Sequence, residues 1–508
     1  MDKGGARMAD TWIWEKGDAF PRLHDPVKRS IHQNKWLPAK EKSAEGLDSE
    51  AAGIKSAPAT SAKPPKGQAS KTGPRPGDAV FLMSEGLSAE QSEVGGAWLL
   101  NNGAGSMNRL DAEDRNRRLS RAGLSVAFAL PDERIYRVEL FHLTAIGIVR
   151  LNARGEELAG SRLKPPGDDG PLAPLRWPTE SPLRAVVRAA TRALYALRLD
   201  IGEAEIALGS NGRLAVRAVY PLLRDKRRQA EALARFAAWH AANASAPDRR
   251  ILLGADPEYV LLMPSGKVAQ ASRYFGFGVG GAAGADAMLV GRRLLYPVAE
   301  LRPAPAESPA ALAANVRRLL ARAAVKVGDP ELRWVAGAMP VPGLALGGHI
   351  HISGAALTSR LLRLLDSCAA YPLALVEDPA GRGRRPRYGV LGDFRLQQHG
   401  GFEYRTLPSW LVSPAAAKAA FALALLCARE AMAMSRVPAS GERYAEAYYS
   451  GDRSELAACL DEVADVIAAT ESYAGLARFI EPLFDAARRG RTWDESTDIR
   501  EKWRVPLH

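Results

Sequence analysis

The apolar positions of this chain change period along its length, and each change marks an element. DAVFLM (78–83) and GAWLLNN (96–102) are short unbroken apolar runs and predict buried strands. ERIYRVELFHLTAIGIVRLN (133–152) is rich in branched and aromatic residues and predicts further strand. SPLRAVVRAATRALYALRL (181–199) carries its apolar residues at helical spacing. EAEIALGSNGRLAVRAVY (203–220) alternates on both sides of Asn211-Gly212, a strong hairpin signal. RDKRRQAEALARFAAWHAANAS (224–245) then turns from polar to amphipathic and predicts a helix. From ILLGADPEYVLL (251–262), strand-like segments and turns continue to GFEYRTLPSWL (401–411). Helical sequence follows, from SPAAAKAAFALALLCAREAMAM (413–434) to about Arg489, and no internal repeat is visible.

This punctuation predicts an arm, two domains and a tail. Residues 1–77 are Lys, Ala, Ser, Pro and Gly with little to bury, and such sequence cannot offset its ordering entropy. They read as a disordered basic arm, although TWIW (11–14) and NKWL (34–37) carry three tryptophans suited to docking on the protein or on a partner. Residues 78–248 form a smaller α/β domain of unassigned role, 249–490 a second domain, and 491–508 a polar tail with two tryptophans.

Composition changes this picture little. The chain has 508 residues, 47% hydrophobic, with a formal net charge of +12 carried mostly by arginine. That excess suits an anionic ligand, but no nucleic-acid motif accompanies it and no nucleic acid is expected. Cys368, Cys427 and Cys459 are far apart in apolar surroundings and read as reduced core thiols. No charged-then-apolar leader pattern opens the chain and no apolar run of about 20 residues occurs, so the expectation is a cytoplasmic protein with no membrane contact.

The chemistry is concentrated in four strands. Side chains two apart on a strand share a face. Asp256 and Glu258 in DPEYVLL, Glu300 and Arg302 in VAELRP, His349 and His351 in GGHIHIS, and Glu403 and Arg405 in GFEYRTL therefore pair on one face of each strand. Leu, Ile, Phe and Tyr take the other face. A half-exposed strand alternates in the same way. Solvated faces, however, favour Lys, Glu, Thr and Ser, whereas these four carry Asp, Glu, His and Arg and no Lys. Gathered in one concavity, they suit Mg²⁺ or Mn²⁺ on the carboxylates and a phosphate on the guanidinium forks.

These segments resemble a known family. DPEYVLL, GGHIHIS and FEYR are similar to three strands of glutamine synthetase. The ordered set DPEY, ELRP, GGHIHI, RYGVLGDFR and GFEYRTLPSWL most resembles the phage-like carboxylate–amine ligases of type 2, or amidoligases, over roughly 250–430. The resemblance implies an α+β fold of the glutamine synthetase and glutamate–cysteine ligase kind, a curved antiparallel sheet backed by helices. It implies an ATP-dependent carbon–nitrogen ligase that forms an amide through an acyl phosphate, with ATP and Mg²⁺ (or Mn²⁺) as cofactors. Carried over, Asp256 and Glu258 match the first metal-binding strand, Glu300 a central metal ligand, and His349 and Glu403 the ligands of the second metal. His351 and Arg405 match groups that touch ATP phosphates. Arg387 and Arg395 match a basic segment that handles phosphate or the substrate carboxylate. Arg302, Arg395 and Arg405 would neutralise the phosphoryl group in transit. Asp286 follows a looser glycine-rich stretch than the family shows and receives no role.

The substrates are expected to be a small-molecule or peptide carboxylate and an amine. Related enzymes assemble with sites near subunit contacts, so a homo-oligomer is compatible with the resemblance. No residue is assigned as the base that deprotonates the amine. Two rivals remain: a zinc or manganese hydrolase built on the HxH strand, and a non-catalytic nucleotide-binding scaffold. FGFGVGGAAGAD (275–286) reads as a surface loop and RGRRPR (382–387) as a solvated loop or a phosphate-binding loop of the ligase, with Arg387 kept. Asp366 and Glu377 read as surface carboxylates.

Overall fold

The computed structural model describes residues 9–14, 74–75, 77–82, 96–107, 109–126, 129–165, 177–244, 250–277, 281–290, 293–397 and 400–506. Most of the predicted N-terminal arm, and residues 278–280 of the glycine-rich stretch, lie outside them. The exception in the arm is TWIW. Thr11–Trp14 (β1) pairs in parallel with Ala79–Leu82 (β2), which pairs with Trp98–Leu100 (β3). Trp12 is buried and its indole Nε1 donates to Asp78 Oδ2 at 3.1 Å, so this tryptophan docks on its own chain.

A helix, Ala112–Arg121 (α1), precedes the next sheet. That sheet is antiparallel, in the order Thr144–Leu151 (β5), Arg134–Phe141 (β4), Ile201–Leu208 (β6) and Leu214–Tyr220 (β7). Ser181–Ala196 (α2) lays Val186, Ala190, Ala193 and Leu194 on it, at the spacing the sequence predicts. Lys226–Asn243 (α3) brings Phe236 against Phe81, Phe141 and Trp98, closing an aromatic core between the two sheets.

The second half is built on an eight-stranded antiparallel sheet, curled into a half-barrel. Its path runs Ala283–Val290 (β10), Arg293–Leu301 (β11), Leu252–Leu262 (β8), Gly348–Ser353 (β13), Phe402–Tyr404 (β15) and Phe394–Leu396 (β14). Val268–Ala269 (β9) and Arg333–Val335 (β12) also pair with β8. The apolar face holds Tyr259, Leu261, Ile350, Ile352, Phe402 and Tyr404. Burying each isoleucine contributes about 1.5–3 kcal/mol of hydrophobic stabilisation. Pro309–Val327 (α4) and the nearly all-buried Pro414–Glu430 (α7) back this face. Helix α7 starts where the sequence says it should: Ser413 Oγ accepts from Ala416 N at 3.1 Å, and Pro414 fills the first turn. The α+β expectation and the antiparallel sheet backed by helices are what the chain forms.

The stretch after Arg489 belongs to the same core, which corrects its reading as a tail. Trp503 is buried and donates to Leu411 O at 2.7 Å, Asp498 accepts from Trp334 N at 3.1 Å, and Glu495 accepts from Ala338 N at 2.8 Å. Two of its carboxylates, Glu495 and Asp498, are buried and accept from backbone donors. The three cysteines are buried and free, as expected. Among the described residues no helix is long and apolar enough to cross a membrane.

The two halves touch through specific bonds. His142 Nε2 accepts from Ser359 N at 3.3 Å, at the start of Ser359–Leu365 (α5). Arg192 of α2 meets Asp393 at 3.0 Å, and Tyr195 of α2 donates to Asp366 at 2.6 Å. Asp366 is buried, as is Glu377, which pairs with Arg385. The reading of both carboxylates as surface groups is therefore wrong.

Candidate active site

The polar face of the half-barrel sheet assembles the site. In β13 exposure alternates residue by residue: Ile350 and Ile352 are sealed in the core, while His349, His351 and Ser353 are partly open on the other side. Register then does the rest. His349 lies opposite Asp256, His351 opposite Glu403, Glu300 opposite Glu258, and Arg395 opposite Glu403. Cross-strand partners share a face, so the four pairs picked out in the sequence converge.

Two triads result. Asp256, His349 and Glu403 each offer a ligand atom to a common point, and so do Glu258, Asp286 and Glu300. His349 Nδ1 is 3.1 Å from Asp256 Oδ1 and 3.3 Å from Glu403 Oε1. All three atoms are buried, yet none has a partner in hydrogen-bond geometry. Buried polar atoms normally find a partner, and each exception needs an explanation. Here the lone pairs converge on one spot, which suits an ion.

The electrostatics agree. Burial pushes the Asp256 carboxyl up, but contacts from His349 and His351 outweigh it and hold the group well below the ordinary carboxylate range. Burial lowers His349, but Asp256 and Glu258 outweigh it and raise the imidazole. Glu258 is raised by burial, and Glu300 is raised to about 8 by burial and by the neighbouring Asp256 and Asp286. Carboxylates pressed together in this way repel one another, and a divalent ion between them removes the repulsion.

Around the triads stand the arginines. Arg395 Nε is 2.6 Å from Glu403 Oε2, Arg405 Nη1 is 3.2 Å from Glu403 Oε1, and Arg302 Nη2 is 2.7 Å from Glu300 Oε1. Gln397 adds a donor to Glu403 at 2.9 Å. His351 Nε2 sits 3.2 Å from Asp256 Oδ2, outside both triads. Gly347 carries its amide to Glu258 Oε2 at 2.6 Å, and a Cβ there would lie 2.4 Å from the His349 ring. The site therefore requires glycine at this position.

The face opens on a cleft of about 970 Å³. Glu258, His349, Arg387, Arg395 and Arg405 line it, together with Asp286. Its far wall comes from the first half: Arg184, Arg188 and Arg192, one turn apart on α2, with Thr191 and Tyr195 beside them. The sequence reading missed this wall and left Asp286 unassigned. Helical spacing of the three arginines was a visible signal. For Asp286 no signal was visible, since its neighbours two away are Gly284 and Met288. Within RGRRPR, Arg382, Gly383, Pro386 and Arg387 are exposed, as the loop reading expects, but Arg384 is buried and donates to Thr406 O and Leu407 O at 3.0 and 2.9 Å, while Arg387 lines the cleft.

The model of the phage phiEco32-like COOH.NH2 ligase-type 2 family matches residues 253–505. No curated protein matches the chain. Among solved structures it is similar to a bifunctional glutathione synthetase from Pasteurella multocida (10% identity, TM-score 0.31, 50% of this chain and 48% of that one). It is also similar to GmaS without ligand (13%, 0.27, 47% and 70%) and to a glutamine synthase homolog (15%, 0.27, 51% and 71%). The chain spans about half the length of the first of these. Likeness at these scores carries no argument about activity.

Proposed function

Because residues 253–505 belong to the phage phiEco32-like COOH.NH2 ligase-type 2 family, we propose that this protein uses ATP to activate a carboxylate as an acyl phosphate and joins it to an amine. The observation that carries this reading is the pair of adjoining triads on one sheet face, ringed by guanidiniums and open to a cleft. Asp256, His349 and Glu403 would hold one divalent ion, and Glu258, Asp286 and Glu300 the other. With five carboxylates and one imidazole the donor set suits Mg²⁺ or Mn²⁺. When bound, the ions supply positive charge against the triphosphate.

The chain's own groups do the remaining work. Arg405 and Arg395, which contact Glu403, would supply their guanidinium forks to phosphate oxygens. Arg302 plays the same part beside Glu300. His351 Nε2 presents a donor next to Asp256 for a phosphate oxygen. Such positioned charge is the main catalytic resource in phosphoryl transfer. The α2 wall, with Arg188 at its centre, faces these groups across the cleft and takes the substrate carboxylate. Product amide forms when the amine attacks the acyl carbon and phosphate leaves.

The test is an assay with Mg²⁺, ATP, a panel of carboxylates and hydroxylamine as a generic amine, read as hydroxamate and phosphate formed together. Glu403→Ala and Glu258→Ala should each abolish both signals. Intact ATP across the panel, with stoichiometric tight zinc in the purified protein, would reverse the assignment in favour of a hydrolase.

A further inference from the structure

The loop that leads into β14 is gripped by both halves of the chain. Gly392 takes a left-handed backbone, φ 66°, and donates its amide to Asp366 Oδ1 at 2.9 Å. It lies so close to Tyr195 of α2 that a Cβ there would be 2.2 Å from the ring, so only glycine fits. The next residue, Asp393, accepts at Oδ1 from Arg192 Nη2 at 3.0 Å. Arg192 and Tyr195 are three apart on α2 and share one side of it. Two consecutive loop residues are thus seated by two side chains of the first half.

Strand register carries that grip to the site. Phe394 lies opposite Tyr404 and Arg395 opposite Glu403, which places Asp393 opposite Arg405. The backbone agrees, since Arg405 N donates to Asp393 O at 2.9 Å. Asp393 Oδ2 stands 3.8 Å from Arg405 Nε, while Arg405 Nη1 is 3.2 Å from Glu403 Oε1. One oxygen of Asp393 therefore faces a guanidinium of the first half and the other a guanidinium of the site. Arg405 Nη2 meets no protein acceptor among the described residues and is left for a ligand oxygen. Three carboxylates stand among the lining residues of the cleft: Glu258 and Asp286 belong to a triad, and Asp393 belongs to neither.

We propose that Asp393 is a positioning residue: seated by Arg192, it fixes the Nε edge of Arg405, so that a helix of the first half aims a guanidinium of the second at the phosphoryl group. This rests on the ligase reading, in which Arg405 serves phosphate oxygens. Stability does not account for the arrangement. The side chains of Asp393, Arg192 and Arg405 are 31%, 33% and 30% exposed, and ion pairs so open to water contribute little to folding. Aim is another matter. An arginine has a long side chain with much rotamer freedom, and its charge counts in a transition state only when it is held in place. Glu403 is committed to the first triad, whereas Asp393 has only guanidiniums to hold. The first half thereby gains a part in the reaction without supplying a metal ligand.

The test is steady-state kinetics of the full chain in the hydroxamate assay. Asp393→Asn keeps the shape and removes the charge. It should lower kcat at least about tenfold, the scale of a misplaced charged group, and shift KM for ATP less than about threefold. Arg192→Gln should lower kcat at least about fivefold, and Arg192→Lys, which keeps the charge, should recover most of that loss. The double variant should match Asp393→Asn within about twofold, because both changes break one linkage. Manganese titration should count the same sites in every variant as in the wild type, and thermal melts should stay close to it. Wild-type kcat in Asp393→Asn, a loss carried in KM, or additive losses in the double variant overturns the proposal. So does a loss in Asp393→Asn with Arg192→Gln at the wild-type rate, since Asp393 would then act on the substrate itself. A lowered manganese count would make Asp393 an ion ligand, and a lowered melt would make it a structural one; either overturns the proposal. Absence of hydroxamate from the wild type is a separate result: it removes the ligase reading, and this proposal with it.

Discussion

Asp366→Asn tests the electrostatics of the joint between the two halves. Asp366 is buried, and its oxygens accept from Tyr195 at 2.6 Å, Tyr404 at 2.6 Å and the Gly392 amide at 2.9 Å. Burial raises its pKa from 3.8 to about 6, against the pull of these donors. Between about pH 4 and pH 6 the folded chain therefore keeps a proton that the unfolded chain has released, and stability falls as pH rises through that window. Two pKa units correspond to about 3 kcal/mol. Asparagine cannot titrate, and the two phenol hydroxyls can turn to suit its amide. Urea unfolding of both proteins from pH 4 to 7 isolates the effect, because other groups cancel in the difference. The wild type should lose about 3 kcal/mol relative to Asp366→Asn across the window. A difference that is flat, or that grows with pH, would mean the donors win over burial and would refute the reasoning.

Three further outcomes follow from the structure. Manganese titration of the wild type should show two sites, with Asp286→Asn and Glu403→Gln each reducing the count to one; unchanged stoichiometry would remove both residues from the ion sites. Gly347→Ala should abolish ion binding at the His349 triad while leaving the melt close to wild type, because the new Cβ meets the His349 ring at 2.4 Å. His142 and His240 are both buried and lowered to about 4, first by burial. As pH falls from about 6.5 towards 4, the unfolded chain takes up these protons and stability should drop by about 3 kcal/mol per histidine, a slope that His142→Gln should halve in urea unfolding.

The sequence made the site legible because a strand's period of two is local information. Asp256–Glu258, His349–His351 and Glu403–Arg405 announce a shared polar face without any knowledge of neighbours. Asp286 could not be read in this way, because its place beside Glu300 depends on the β10–β11 register and on a bulge between residues 286 and 288. Asp366 and Glu377 were misread although a signal existed: both stand in LLRLLDSCAAYPLALVED, where apolar residues far outnumber polar ones. Arg384 gave no local hint, since its partners are carbonyls twenty-odd positions away. The α2 wall was readable as a helix, but its facing partner was not.

The order of strands in the sheet bears on how the protein is made. β8 lies beside β13, and β13 beside β15, the last strand of this sheet to leave the ribosome. Until residue 403 has emerged, the first triad lacks an acid, and only Asp256 and His349 of it are in place. A nascent or truncated chain thus lacks the proposed ion site, and closing the loop costs entropy that only the completed pairing repays. Ion capture there would mark the finished sheet and discriminate a mature molecule from a partial one.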